Sequence, residues 1–313
     1  MENRRGGNDR RHNSLPSRSL TTALLLSTAL LISGLARAAD QSSTNLEKED
    51  KGITFYESFR GSSNTLGQVM KLDTKAGYNF NKYFGVDFGI PAYLVRSSAN
   101  STTTGSGSVT GIGNAYIDLR LTFANPMLNF ASILEGTAPT GDASKGFSTG
   151  RATFDWANHL DHSFFFGFTP FVNLGVANTI SDTRFFTRPF SSLGLLGHFE
   201  GGADFKVLHF FSVGASAYDI VPSGQQKVFS RLVTQSSVTT TRRGGGVFEK
   251  NKETTGTAAI DRDNGYSAWL DSSPVPFIDL ELGYSRSVQF DLNTVSFSVG
   301  FNLGYLIRKS KIH

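Results

Sequence analysis

From Val295 to Ile307 every second residue is apolar: Val295, Phe297, Val299, Phe301, Leu303, Tyr305 and Ile307. The residues between them, Ser296, Ser298, Gly300, Asn302 and Gly304, are small or polar. An extended chain turns successive side chains to opposite faces, so this period of two reads as a β-strand with one apolar and one polar face. The pattern recurs along the chain. Met70, Leu72, Ala76, Tyr78 and Phe80 alternate with Lys71, Asp73 and Lys75. Phe84, Val86, Phe88 and Ile90 alternate with Gly85, Asp87 and Gly89, and Ile117, Leu119 and Leu121 with Tyr116, Asp118 and Arg120. Leu195, Phe199, Ala203 and Phe205 oppose His198, Glu200 and Asp204, while Leu280, Leu282 and Tyr284 oppose Asp279 and Glu281. The spacing predicts twelve strands, at 52–60, 68–80, 83–95, 112–123, 128–138, 150–160, 163–177, 192–205, 209–220, 264–272, 276–286 and 293–307. Glu57 and Ser132 break the apolar row of their strands on either choice of face.

The connections sort by length. Those at 81–82, 124–127, 161–162, 206–208 and 273–275 are short, and those at 61–67, 96–111, 139–149, 178–191, 221–263 and 287–292 are mostly long, in strict alternation. A transmembrane antiparallel β-barrel has this asymmetry, with short periplasmic turns and long extracellular loops. Aromatics gather beside the short turns (Tyr78, Phe80, Tyr83, Phe84, Phe123, Phe130, Phe205, Phe210, Phe211 and Phe277), as an interfacial girdle requires. Energy then assigns the faces. Turning Lys71 and Lys75 toward lipid would cost about 2–4 kcal/mol each near the midplane. The charged rows therefore face the lumen.

Composition changes the picture at the N-terminus. Arg4, Arg5, Arg10, Arg11 and Arg18 precede an apolar run from Leu20 to Ile32 and the small-residue pattern Ala36-Arg37-Ala38. That order reads as a secretory signal peptide over 1–38, followed by a flexible periplasmic lead over 39–51 and the barrel over 52–307. Without residues 1–38 the chain carries 24 basic and 24 acidic residues, so the net charge of +4 belongs to the leader. It gives no support to a nucleic-acid partner. The chain has no cysteine, which excludes disulfide staples, thiolate metal sites and cysteine nucleophiles.

Four short motifs resemble the outer-membrane family named for the MetA pathway of phenol degradation. They are Gly111-Ile112-Gly113-Asn114, Pro139-Thr140-Gly141-Asp142, Pro222-Ser223-Gly224-Gln225-Gln226 and Asn293-Thr294-Val295-Ser296-Phe297. The resemblance implies an outer-membrane transporter or channel for aromatic or other hydrophobic compounds. The chain departs from a barrel that ends on an aromatic residue: a basic tail over 308–313 (Arg308, Lys309, Lys311) follows the last predicted strand.

The candidate functional residues are those expected to line the lumen: Lys71, Asp73, Lys75, Asp87, Tyr116, Asp118, Arg120, Phe171, Glu200, Asp204, Trp269, Asp279 and Glu281. With Asp155 they form a mainly acidic wall, which favours cations or neutral solutes unless the charges pair among themselves. Tyr93, Phe165 and Tyr218 join the inward aromatics, as a path for an aromatic solute or as filling. The basic 221–263 loop, with Lys227, Arg231, Arg242, Arg243, Lys250, Lys252 and Arg262, is a candidate lid or a contact for lipopolysaccharide phosphates. The expected partners are the lipid bilayer, lipopolysaccharide, the outer-membrane assembly machinery and a small-molecule solute. No cofactor or catalytic residue is expected. Ser285-Arg286-Ser287 lies beside no histidine that could activate it, and His159, Asp161 and His162 bracket a turn without the further ligands a metal needs. The alternative to transport is a structural or adhesive barrel acting through its external loops.

Overall fold

The computed structural model describes residues 51–98, 108–232, 248 and 252–310. The expected leader over 1–38, the expected lead over 39–51 apart from Lys51, the basic residues Arg242, Arg243 and Lys250, and Lys311 lie outside the described residues. The strands are β1 (Gly52–Asn64), β2 (Gly67–Asn79), β3 (Phe84–Ser97), β4 (Ser108–Ile112), β5 (Tyr116–Ala124), β6 (Asn129–Thr137), β7 (Thr153–Asp161) and β8 (Phe168–Ala177). They continue with β9 (Phe190–Leu193), β10 (Leu196–Leu208), β11 (Phe211–Pro222), β12 (Gln225–Ser230), β13 (Glu253–Thr257), β14 (Asp263–Val275), β15 (Ile278–Ser287) and β16 (Leu292–Asn302).

Twelve of these strands close into an antiparallel barrel. The ring runs from β1 through β2, β3, β5, β6, β7, β8, β10, β11, β14 and β15 to β16, which pairs back onto β1 with Tyr56 opposite Asn302 and Ser63 opposite Val295. Closure pairs every ladder, which is what allows a sheet to stand in hydrocarbon. β4 pairs with the outer half of β3, beyond the stretch that β5 pairs, so β4 and β5 are two pieces of one strand interrupted at 113–115. β9, β12 and β13 form a separate three-stranded sheet among the outer loops.

The burial pattern is that of a protein turned inside out. On β15 and β16, Leu282, Tyr284, Val295 and Phe297 are exposed on the outer face, while Ser285, Ser287, Ser296 and Ser298 are buried on the inner one. Phe88, Ile90, Leu119, Leu134, Trp156, Val172, Val176, Phe199 and Leu270 extend the exposed apolar surface around the ring. A contiguous apolar belt of this extent is not held in water, so the barrel belongs in a membrane. With its fold, that places it in the outer membrane. Glu57 and Ser132 both stand on this outer face, and each has a polar neighbour. Thr74 Oγ1 donates to Glu57 at 2.8 Å, and Trp156 Nε1 donates to Ser132 Oγ at 2.9 Å. At the short-turn end Tyr83 stacks on Phe123 and Phe80 on Phe84, forming the expected aromatic girdle.

The structure corrects several boundaries. β1 and β2 stay paired as far as Asn64 opposite Gly67, leaving a two-residue turn where a longer loop is expected, and β15 and β16 are joined through 288–291. Long and short connections therefore do not alternate strictly; beyond the bilayer a hairpin can continue without an apolar outer row. The strand expected from 163 begins at Phe168, and Phe164, Phe165 and Phe166 form the turn before it. Phe165 is fully exposed there and is not an inward aromatic. The final strand stops at Asn302 rather than 307. Leu303–Ser310 is a helix, α1, capped by Asn302, whose side chain accepts from Tyr305 N at 3.0 Å. At Gly304 the chain passes so close to β1 that a Cβ would lie 2.8 Å from Phe55 N.

An arginine at 282, on the outer face of β15, would put a charge into the apolar belt. Leu282→Arg is expected to lower the folding free energy in lipid vesicles by about 2–4 kcal/mol, read from urea titration. An unchanged midpoint would contradict the assignment of the outer face.

Candidate functional site

The inner wall of β2, β3 and β5 carries an ion-pair lattice. Lys71 Nζ lies 3.4 Å from Asp73 Oδ2, and Tyr116 OH donates to Asp73 Oδ1 at 2.9 Å. Lys75 Nζ donates to Asp118 Oδ2 at 2.6 Å, with the same nitrogen 5.3 Å from the Tyr116 ring centre. Arg120 Nη2 reaches Asp87 Oδ2 at 3.1 Å, and Thr54 Oγ1 donates to the other Asp87 oxygen at 2.7 Å. The period-two pattern explains the lattice: 71, 73 and 75 share the inner face of β2, and register sets 87 beside 118 and 118 beside 135. Glu135 is an inner acid that the sequence reading did not single out.

Across the barrel, β7, β8 and β10 carry a second network. Asn173 Nδ2 donates to Glu200 Oε2 at 2.9 Å, His198 Nε2 pairs with Asp155 Oδ1 at 2.8 Å, and His159 lies between Asn173 and Asp161. His159 and Asp161 are buried residues of β7 rather than parts of a solvated turn. No cluster of three or more histidine and acidic side chains suited to a metal occurs among the described residues. Ser267 Oγ donates to Ser285 Oγ and Ser287 Oγ donates to Asp263 Oδ1, so the Ser-Arg-Ser segment is tied to a serine and a carboxylate.

The third group is the one that sequence reasoning missed. The connection from β8 to β9 turns inward, and Arg184, Phe185, Phe186 and Arg188 lie inside the ring. Arg184 Nη2 sits 2.7 Å from Glu281 Oε1 and 3.6 Å from Asp271 Oδ2, and Nη1 is 4.0 Å from Asp204 Oδ1. Its guanidinium carbon is 4.6 Å from the centre of the Trp269 ring, on which Phe185 stacks at 5.1 Å. Trp269 in turn donates to Asp204 Oδ1 at 2.8 Å and leans on Phe171. The candidates Phe171, Asp204, Trp269 and Glu281 thus meet around this loop, together with Asp271. Asp279 is buried on the same face of β15. The signal was available: Arg184-Phe185-Phe186-Thr187-Arg188-Pro189-Phe190 is strongly apolar for an exposed connection.

Above this level the outer mouth is packed. Phe147, Ile180, Phe186, Phe190, Val228, Leu232, Phe248 and Phe290 join wall residues such as Val95, Tyr93 and Leu196 in one apolar cluster. Arg188 pins it from within: Nη1 pairs with Asp263 Oδ2 at 2.7 Å, both side chains fully buried, while Tyr218 and Ser287 also donate to Asp263. Arg231, from the described part of the 221–263 loop, donates to the carbonyls of Arg188 and Gly146 and covers Tyr93. Lys227 pairs with Glu253 and Arg262 with Asp219 at the surface. Two of the motifs behind the family resemblance meet here. Gly141 N donates to Asn114 Oδ1, and Thr140 Oγ1 accepts from Ala115 N, so Pro139–Asp142 docks onto the break between β4 and β5. Gln226 is buried and donates to the carbonyls of Leu195 and Ser223.

Asp261, in the outer loop before β14, is fully buried, and burial pushes its carboxyl up to about 6. A folded value above the unfolded one means that stability is greatest when the group is protonated and falls as pH rises through about 4 to 6. Asp261→Asn should raise the thermal midpoint relative to the parent at pH 7.5 and do so much less at pH 4.5. An equal effect at both values would dissociate the carboxyl from loop packing.

No family model and no curated protein matches the chain. Among solved structures, an outer membrane channel from Pseudomonas putida F1 is 11% identical with a TM-score of 0.56, the alignment covering 84% of this chain and 99% of that one. The NanC porin is 8% identical with a TM-score of 0.45, over 79% of this chain and 99% of that one. The first likeness carries the argument, and it shows that the chain has the fold of a twelve-stranded outer-membrane β-barrel.

Proposed function

We propose that the protein is an outer-membrane channel for small solutes, narrowed by the inserted loop, and that Lys71, Asp73, Lys75, Tyr116, Asp118 and Arg120 line the open side of the path. One observation carries the reading. Inside a closed ring and deep among charged neighbours, Lys71, Lys75 and Arg120 still expose 20%, 23% and 18% of their side-chain surface, although Asp182 of the inserted loop comes within 4.0 Å of Lys71. A lumen filled for purely structural ends would bury these cations or replace them with apolar groups. The paired charges also leave little net field along that wall, which suits small neutral or weakly charged solutes better than large anions. Resemblance to the MetA-pathway family supports aromatic or hydrophobic compounds as the cargo, and the aromatic surfaces of Phe171 and Trp269 fit such molecules.

Reconstituted in planar bilayers, the purified barrel is expected to give small, discrete conductance steps. Lys71→Glu with Lys75→Glu should move the reversal potential under a salt gradient toward cation selectivity. A barrel that never conducts would instead support a structural or adhesive role for the packed outer loops.

A further inference from the structure

We propose that the outer rim of the barrel between β3 and β7 is a docking surface for lipopolysaccharide. Arg96, Lys145 and Arg151 take its phosphates, and the apolar row beneath them takes its acyl chains. The proposal is independent of whether the lumen conducts.

Register draws the boundary between the two halves of this surface. On the outer face of β3 the row Phe88, Ile90, Ala92 and Leu94 ends at Arg96, which is exposed. β4 lies beside it, with Ile112 opposite Ala92, Thr110 opposite Leu94 and Ser108 opposite Arg96. Partners in register share a face. Within a few residues of each strand the outer surface therefore passes from exposed Ile90 and Ile112 to two hydroxyls and a guanidinium. β4 is paired along one edge by β3, and on it the Thr110 carbonyl accepts from Lys145 Nζ at 3.2 Å. Lys145 thus stands on the same line as Arg96. Arg151 is exposed at the outer end of β7, just before the outward Phe154 and Trp156.

Charge then says which headgroup meets this line. Segments 96–112 and 138–152 carry three basic residues against one acid, Asp142. Asp142 lies 3.2 Å from Lys145, both well exposed, and a surface pair of that kind holds its partners weakly. Neither Arg96 nor Arg151 has an acidic partner among the described residues, and residues 99–107, which lie outside them, contain no acid. Elsewhere the rim is balanced. Segments 219–232 and 252–263 carry four basic residues against four acids. There Lys227 pairs with Glu253 at 2.7 Å and Arg262 with Asp219 at 3.5 Å, while Arg231 is buried against carbonyls. Arg286 pairs with Asp291. The basic loop expected to reach phosphates thus has its described cations occupied, apart from the half-buried Lys252. The unmatched charge lies in the β3–β7 sector.

A guanidinium placed where acyl chains end meets the headgroups of the outer leaflet, and phosphate satisfies its fork of N–H donors. A zwitterionic headgroup brings its own cation to the same spot. An unmatched basic line favours a headgroup with net negative charge. In the outer leaflet of the outer membrane the phosphates of lipopolysaccharide supply that charge, and its sugars meet the outward hydroxyls of Ser108 and Thr110.

The refolded barrel in detergent, its fold checked by heat-modifiable migration, is titrated with lipopolysaccharide lacking O-antigen, and bound lipid is counted by native mass spectrometry. Arg96→Ser with Arg151→Ser should weaken binding about thirtyfold. Lys227→Ser with Arg262→Ser should change it by less than about twofold. Arg96→Lys with Arg151→Lys keeps the charge without the fork and should cost about threefold. Dephosphorylated lipopolysaccharide should bind the parent as weakly as the intact lipid binds the Arg96→Ser, Arg151→Ser variant. Should that variant fail to fold, Arg96→Ser alone carries the test with about a fivefold loss. Equal losses at the two pairs of positions, or undiminished binding of the dephosphorylated lipid, would overturn the proposal. So would phosphatidylglycerol or inorganic phosphate matching lipopolysaccharide: the first would make the rim a general contact for anionic lipid, the second a site for small anions.

Discussion

A peptide group in hydrocarbon has no water to bond, and this requirement organises the whole molecule. Each strand must find a partner on both sides, so the sheet closes, with β16 returning to β1. Closure creates an inside, and the two-residue period then sorts every side chain to lipid or to lumen. The ion pairs of Lys71, Lys75 and Arg120 follow from that sorting: charges that lipid excludes are gathered on a concave surface, where opposite signs on one strand, the next strand or the next but one come within 2.6–3.4 Å.

The same closure determines what the loops must do. A ring of twelve strands encloses more space than its own inner side chains fill, and the outer mouth is wide enough to admit backbone. The connection from β8 to β9 enters it, bringing a buried arginine to Asp263 and an apolar cluster to the mouth. Breaking such a pair from one side strands a charge without water, which is why the packed mouth and the inserted segment hold as one unit. The inserted loop also reaches the far side of the ring, where Asp182 comes within 4.0 Å of Lys71 and the Thr187 carbonyl accepts from Ser62.

Much of this was legible in alternation. Val295–Phe301, Met70–Phe80 and Leu280–Tyr284 announce strands and faces because lipid tolerates no exceptions in the outer row without a local partner, as Thr74 provides for Glu57. The lining candidates follow from the same rows, since the residue beside an outward one must face in. What alternation misses has no period. Leu303, Leu306 and Ile307 suit a helix as well as a strand, and only the capping Asn302 distinguishes the two. The interruption between β4 and β5 depends on a loop distant in sequence docking through Thr140 and Gly141. Arg184 and Phe185 were invisible as wall contacts because their partners stand on several other strands, from Asp204 to Glu281, and a local pattern reports only the near neighbour.

Gly283 looks like one more small residue in an alternating strand, yet its missing side chain is the room that Phe185 occupies. The two positions are separated by the outer three-stranded sheet and three whole barrel strands, and still they divide a single volume. Over generations of drift neither is at liberty alone: bulk gained at one must be surrendered at the other, and a lineage that lost this reciprocity would have rebuilt the interior around a different occupant.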